Sequence, residues 1–232
     1  MIQVRGLTKA FGPKKVLRGI DLDVAPGEFL TLVGPNGAGK TTFLRILATL
    51  SRATGGDALI GGMSIAEHPA HVRRSIGLVS HRTLLYDDLT AVENLQFYGR
   101  MYDVPNLNAR IEEVLRQVNL YFRRHDPVRT YSRGMQQRLS IARAILHDPQ
   151  VMLMDEPYTG LDVQATAMLR TVLQELAAGG RTVILTTHDL ELGLEVADRV
   201  AILSGGRIGF QAPATGMSLH EFRRIYAEQV AG

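Results

Sequence analysis

The nine residues Gly34-Pro35-Asn36-Gly37-Ala38-Gly39-Lys40-Thr41-Thr42 constrain this chain more than any other stretch. They satisfy a spacing of Gly, four residues, then Gly-Lys-Thr, with Gly34, Gly39, Lys40 and Thr41 in the fixed places. That spacing carries weight only between a strand and a helix, and the flanks read that way. Glu28-Phe29-Leu30-Thr31-Leu32-Val33 is a short buried strand, and Thr42-Phe43-Leu44-Arg45-Ile46-Leu47-Ala48 reads as a helix. The glycines let the backbone wrap so that successive N–H groups face one anion, and the helix start adds its partial positive charge. Lys40 places a full charge by the outer phosphates, and the Thr41 hydroxyl is a hard oxygen ligand for Mg²⁺. The stretch predicts a nucleoside triphosphate site.

A second stretch supplies the acids. Val151-Met152-Leu153-Met154 is a continuous apolar run, as a fully buried parallel strand would be, and it ends in Asp155-Glu156-Pro157. The carboxyl end of such a strand is where open α/β sheets bind ligands. Asp155 is expected to hold Mg²⁺ indirectly, completing the shell that Thr41 begins. Glu156, one position on, faces differently and can orient and deprotonate the attacking water. The plain alternative is a turn or helix-capping acid pair before Pro157. His188 ends the next core strand, where its imidazole can touch a γ-phosphate or be held by ordinary hydrogen bonds.

The 232 residues make one large domain or a domain plus a subdomain, with 45% apolar and 21% charged residues, ordinary for a globular protein. The net charge of +3 comes without a concentrated basic tract, so no nucleic-acid partner is expected. Zero cysteines excludes disulfides and thiolate metal sites and suits a reducing compartment. The start, Met1-Ile2-Gln3-Val4-Arg5-Gly6, lacks a signal-peptide layout, and no apolar run reaches the roughly 18 residues that cross a bilayer. Any membrane part is expected from another chain.

Ile2 to Leu7 and Ile20 to Val24 alternate as half-exposed strands do, with Phe11-Gly12-Pro13 and Lys14-Lys15 as the turn between them. Phe11 lies 23 positions before Gly34; spacing alone does not separate a ligand-facing ring from a small hydrophobic anchor. Asp57 to Ile60 and Ile76 to Val79 read as strands. From about Thr90 to about Leu120 the period is helical, through Leu89, Val92, Leu95 and Tyr98 and then Ile111, Val114, Leu115 and Val118. A helical insertion between strands suggests a second subdomain. Tyr131-Ser132-Arg133-Gly134-Met135 opens a further helix facing inward through Leu139, Ala142, Ile145 and Leu146. A helix over 163–178, strands Thr182 to Thr186, Val200 to Leu203 and Arg207 to Phe210, and a last helix from Leu219 to about Val230 complete the α/β alternation.

Across essentially the whole chain these residues resemble the ATP-binding subunits of ABC transporters. Gly34–Thr42 is similar to their Walker A, and Val151–Pro157 to their Walker B with Glu156 as the catalytic glutamate. Thr159-Gly160-Leu161-Asp162 resembles the D-loop, His188 the switch histidine, and Phe11 the aromatic that stacks on adenine. Tyr131-Ser132-Arg133-Gly134-Met135 resembles the signature Leu-Ser-Gly-Gly-Gln at three departures, keeping Ser132 and Gly134. The resemblance implies a phosphate-loop core with an N-terminal antiparallel β subdomain and an inserted helical subdomain. The single domain over 1–232 then divides into 1–84 with 150–232, core and β subdomain, and 85–149, the helical subdomain with the signature. It also implies ATP and Mg²⁺ as cofactors and a head-to-tail dimer in which each nucleotide is covered by the other copy's signature through Ser132 and Gly134, with Asp162 of the D-loop also a nucleotide-site residue. Membrane-spanning permease subunits would be the partners, and the place of work the cytoplasmic face of the cell membrane.

The family carries Gln where the strand Ile76–Val79 leaves the core; here His81 takes that slot by count, or Arg82 in a shifted register. Mg²⁺ prefers oxygen, so His81 is expected to act through a bound water, with a turnover that depends on pH near neutrality. His81 to Thr90, with Glu93-Asn94-Leu95 and Phe97-Tyr98, resembles the ATPase subunit of the haem exporter of cytochrome c biogenesis, as does 131–138. Leu84, Leu85 and Tyr86 then dock a cytoplasmic helix of the permease, or fold back onto the helical subdomain. Another exporter's ATPase and a soluble scaffold ATPase are the alternatives.

Overall fold

The computed structural model describes residues 1–80, 82–159, 161 and 163–231, with 163, 164 and 177 as backbone. Two sheets carry the fold. In the first, β1 (Ile2–Phe11) and β2 (Lys14–Val24) form an antiparallel hairpin, joined by β4 (Gly55–Ile60) and β5 (Met63–Ser64) in the order β2-β1-β4-β5. Alternation drives it: Ile2, Val4 and Leu7 are buried while Gln3 and Arg5 are exposed. The hairpin is longer than the alternation predicts. Phe11 pairs with Lys14, which confines the expected five-residue turn to Gly12-Pro13. Register shifts at Leu7/Thr8 and Lys9/Ala10 interrupt the period of two there, so the strand ends do not read as strands.

The second sheet runs in the order β10-β9-β3-β8-β7-β6. Its parallel strands are β3 (Phe29–Val33), β6 (Ile76–Val79), β7 (Val151–Asp155), β8 (Thr182–Thr187) and β9 (Arg199–Ser204), with β10 (Arg207–Pro213) added antiparallel at one edge. β3, β7 and β8 are buried at every position, which explains the continuous apolar run of β7 and the mostly apolar β3 and β8, whose threonines are buried with the rest. Because β8 lies between β3 and β7, the segments leaving these three neighbours emerge side by side at one end of the sheet. α1 (Lys40–Leu47) follows β3, and α2 (Pro69–Arg74) precedes β6.

The expected helical stretch is two helices, α3 (Ala91–Met101) and α4 (Leu107–Gln117), broken where Asp103 and Asn106 take left-handed backbone, φ 53° and 47°. The Thr90–Glu93 capping box starts α3. α5 (Arg133–Ile145) packs with both, and their shared core of Leu95, Ile111, Val114, Leu115 and Leu139 continues to Met152 and Val183 of the sheet. α6 (Val163–Ala178), α7 (Leu190–Val196) and α8 (Leu219–Ala231) cover the rest of the core. α2, α7 and β5, at six, seven and two residues, are too short to leave a periodic signal.

Candidate nucleotide site

The loop between β3 and α1 needs its glycines for different reasons. A Cβ on Gly34 would lie 2.2 Å from the Leu203 carbonyl oxygen of β9, a backbone clash. Gly39 has φ 111° and a Cβ there would meet Leu17 Cδ2 at 2.8 Å, whereas Gly37 has open space but φ 82°. Ala38 is buried beneath the loop. Gly39 opens α1 with no side-chain cap, leaving the first-turn N–H groups for an anion. Lys40 is 6% exposed; its Nζ donates to Gly34 O at 2.5 Å and Pro35 O at 3.3 Å. The same Nζ stands 3.4 Å from Glu156 Oε1.

Asp155, 3% exposed, ends β7 and accepts two hydroxyl hydrogen bonds on Oδ1, from Thr41 Oγ1 at 3.0 Å and Thr186 Oγ1 at 2.8 Å. A hydroxyl and a carboxylate so close are hard oxygen donors, and among the described residues no cluster of three His or acidic groups competes to cage a metal. This fits Mg²⁺, which takes one or two protein oxygens and fills its shell with phosphate oxygens and water.

Glu156 adopts left-handed backbone, φ 50°, a conformation that costs a non-glycine residue about 1–2 kcal/mol. Its N–H donates to Thr186 O at 3.0 Å, fixing the turn. The carboxylate consequently reaches Lys40 on one side and His188 Nδ1, at 2.7 Å, on the other. His188 follows β8 and is 60% exposed.

A cleft of about 570 Å³ gathers Pro35, Asn36, Gly37, Gly39, Lys40, Thr41, Thr42, Asp155, Glu156 and His188. Thr159, read from sequence only as part of the D-loop-like stretch, also lines it, as do Lys14 and Val16, which escaped the sequence reading as site residues. The period of β2 puts Lys14 and Val16 on one face, the one signal that could have found them. Phe11 lies at the end of β1, 55% exposed with Lys9 Nζ 4.8 Å from its ring centre, so the anchor reading fails.

Ser132 and Gly134 do not line this cleft. Ser132 is the N-cap of α5, its Oγ accepting from Met135 N–H at 3.3 Å. A Cβ on Gly134 would approach Ala165 Cβ to 3.1 Å, so glycine there brings α5 close to α6. A second hollow of about 580 Å³, bordered by Arg82, Arg133, Gln136 and Gln137, shares Glu156 and Thr159 with the first. His81, Gly160 and Asp162 lie outside the described residues. Leu84 and Tyr86 are 44% and 48% exposed, Tyr86 edge-on to Phe97 at 5.1 Å, while Leu85 packs back on the helical core.

A glycine loop, an uncapped helix start carrying Lys40, and an aspartate and a glutamate at the end of β7 that converge on it define a phosphate-loop nucleoside triphosphatase. The chain belongs to the ABC transporter family, whose profile matches residues 17–159, and it is an ABC ATPase domain. It is 37% identical over 210 residues to the linearmycin resistance ATP-binding protein LnrL of Bacillus subtilis (strain 168), covering 90% of this chain and 68% of that protein. Identity to the Nod factor export ATP-binding protein I of Ralstonia nicotianae is 36% over 223 residues, 95% of this chain and 70% of that one. The chain thus spans about two thirds of these curated relatives. The solved dimer of the ATP-binding cassette MJ0796 in a post-hydrolysis state with ADP and Pi superposes with a TM-score of 0.85 at 27% identity, over 94% of this chain and all of that one.

Proposed function

We propose that this chain is the motor subunit of a membrane exporter, dimerising head to tail around two Mg·ATP and driving a separate permease from the cytoplasmic face of the membrane. The observation that carries the reading is the convergence of Lys40, Asp155, Glu156 and His188, at or just beyond the ends of the adjacent strands β3, β7 and β8, onto one cleft that Ser132 of the same copy does not line. In this reading 1–232 is one domain, with 1–84 and 150–232 the core and β subdomain and 85–149 the helical subdomain.

The triphosphate takes the loop N–H groups and Lys40, whose ammonium exchanges its contact with Glu156 for phosphate oxygens. Thr41 and Asp155 would hold Mg²⁺, which would supply charge neutralisation for the phosphates. Freed from Lys40, Glu156 orients and deprotonates the water, with His188 fixing its carboxylate and facing the γ-phosphate. Phe11, half free of its own fold, offers its ring to adenine. Ser132 and Gly134 of a second copy close the site, so that closure depends on ATP and hydrolysis reopens it. Asp162 and His81 belong to the same reading, His81 or Arg82 in the slot of the family's Gln.

For the cargo we infer a compound moved outward, as the relatives' names for resistance and export describe. LnrL is named for linearmycin resistance and the Ralstonia relative for Nod factor export, and the haem-export expectation finds no support in such names. Among the described residues no helix is long and apolar enough to cross a membrane, which leaves passage of the cargo to the permease. Glu156→Gln is expected to bind ATP, accumulate as a dimer by light scattering and stop phosphate release; hydrolysis at the wild-type rate would remove Glu156 from its role. Deletion in the native host should sensitise cells to antibiotics and leave c-type cytochromes intact; the opposite pattern restores haem as cargo.

A further inference from the structure

β6 is the edge strand of its sheet, bonded only to β7, so the carbonyls on its open side have no neighbouring strand. Two side chains of the signature helix region answer them. Arg143 Nη2 donates to Leu78 O at 2.7 Å, and His147 Nε2 meets Ile76 O at 3.0 Å. The spacing explains the match: four helical residues advance about 6 Å and two strand residues about 6.6 Å. Gly77 lets the helix lie this close, since a Cβ there would sit 2.5 Å from Ala144 O.

A third element completes two rungs. Tyr102 stacks flat on His147, ring centres 4.0 Å apart, and the Arg143 guanidinium lies 5.2 Å from the Tyr98 ring centre. Tyr98 then reaches past Arg143 to donate its hydroxyl to Leu84 O at 2.5 Å, holding Leu84 at a left-handed φ of 56°. Arg143 is 9% exposed and none of its contacts is to the nucleotide cleft, so nothing in the hydrolysis scheme yet uses it.

Leu78, Ser80, Arg82 and Leu84 line a hollow that they share with Thr41 and Asp155. Both ends of this segment are therefore held from the helices: Leu78 by Arg143 and Leu84 by Tyr98. We propose that Arg143 and Tyr98 are positioning residues for ATP hydrolysis, fixing Ser80 and Arg82 beside Thr41 and Asp155 and tying their place to that of the helix that starts at Ser132. The proposal rests on the ATPase reading of the cleft. A helix whose start covers a neighbouring copy's nucleotide thereby reports its position to the metal end of its own site.

Tyr98→Phe removes one hydroxyl and keeps the ring over Arg143. Steady-state phosphate release should show kcat lower by about three- to tenfold, the weight of one hydrogen bond, with ATP affinity unchanged and Tm lower by about 2–4 °C at most. Arg143→Met should lose more, and Arg143→Lys, which keeps a donor for Leu78 O, should recover part of it. A Tyr98→Phe protein with wild-type kcat, or one whose kcat loss is matched in ATP affinity, overturns the proposal even if Arg143→Met does not fold. Wild-type hydrolysis in the same assay separates the two readings: without it the ATPase scheme falls and takes this one with it, whereas with it only the positioning role is at stake.

Discussion

Thr41 Oγ1 donates to Asp155 Oδ1 across 3.0 Å, joining the first helix to the end of a strand 114 residues later. Neither residue needs to move far to share a metal between them. The contact also shows why the glycine loop and the acidic strand end, unremarkable singly, act as one site. They are delivered by strands on either side of β8, whose Thr186 steadies the same carboxylate oxygen.

Thr41→Val keeps the shape of the side chain and deletes its oxygen. Phosphate release titrated with MgCl₂ should fall by about 10- to 100-fold at a fixed Mg²⁺ concentration, as for loss of a hydrogen bond to a charged group. An unchanged Mg²⁺ dependence would dissociate Thr41 from the metal.

Ser132 does two things that substitutions can separate. Ser132→Ala loses the oxygen that caps α5 and should lower unfolding free energy by about 1 kcal/mol in urea titration. Ser132→Asn keeps a capping oxygen but adds bulk, so it should retain stability while losing ATP-dependent dimerisation in the Glu156→Gln background. Dimers of normal yield from Ser132→Asn would contradict a covering role.

Within 84–86 the side chains part company. Leu84→Glu and Tyr86→Glu place charge on exposed positions and should leave Tm near wild type while abolishing recovery with the membrane fraction of the native host. Because Tyr86 does not line the hollow beside Asp155, Tyr86→Glu should also keep basal hydrolysis near wild type. Leu85→Glu puts charge against the helical core and should lower Tm by several degrees. Equal destabilisation by all three would mean that no part of the segment is free to dock.

His147 gives a stability signature in pH. Burial holds its pKa below the ordinary 6.5, with Arg143 and Arg110 adding to the depression and Ile76 O and Asp148 opposing it. The folded protein thus keeps His147 neutral where the unfolded chain binds a proton, and ΔG of unfolding falls as pH drops below about 6.5. His147→Gln, which retains a donor for Ile76 O, should flatten that fall in denaturant titrations between about pH 5 and 7. Parallel wild-type and variant curves would show that His147 titrates normally.

Much of this was legible in the chain itself. The loop at 34–42 and the acids at 155–156 are contiguous and chemically unambiguous, and the buried parallel strand before the acids announces itself by an unbroken apolar run. What escaped reading depends on contacts between distant segments. Lys14 and Val16 reach the cleft because of a hairpin whose bulges hide its length, and the β6 carbonyls find Arg143 and His147 only once α5 is laid along the edge. Glu156 is a third case: its identity was readable, but the left-handed turn that aims it between Lys40 and His188 was not.

Closing the rim of β6 with side chains has a further effect. An unpaired strand is a template on which a foreign strand can add, the usual route to sheet-to-sheet aggregation. Here two of its acceptors are already taken by a helix, and the flat stacking of Tyr102 on His147 thickens the cover. Loosening that helix would thus uncover a sticky border as well as disturb catalysis, so damage at Arg143 or His147 should surface in cells as lost solubility.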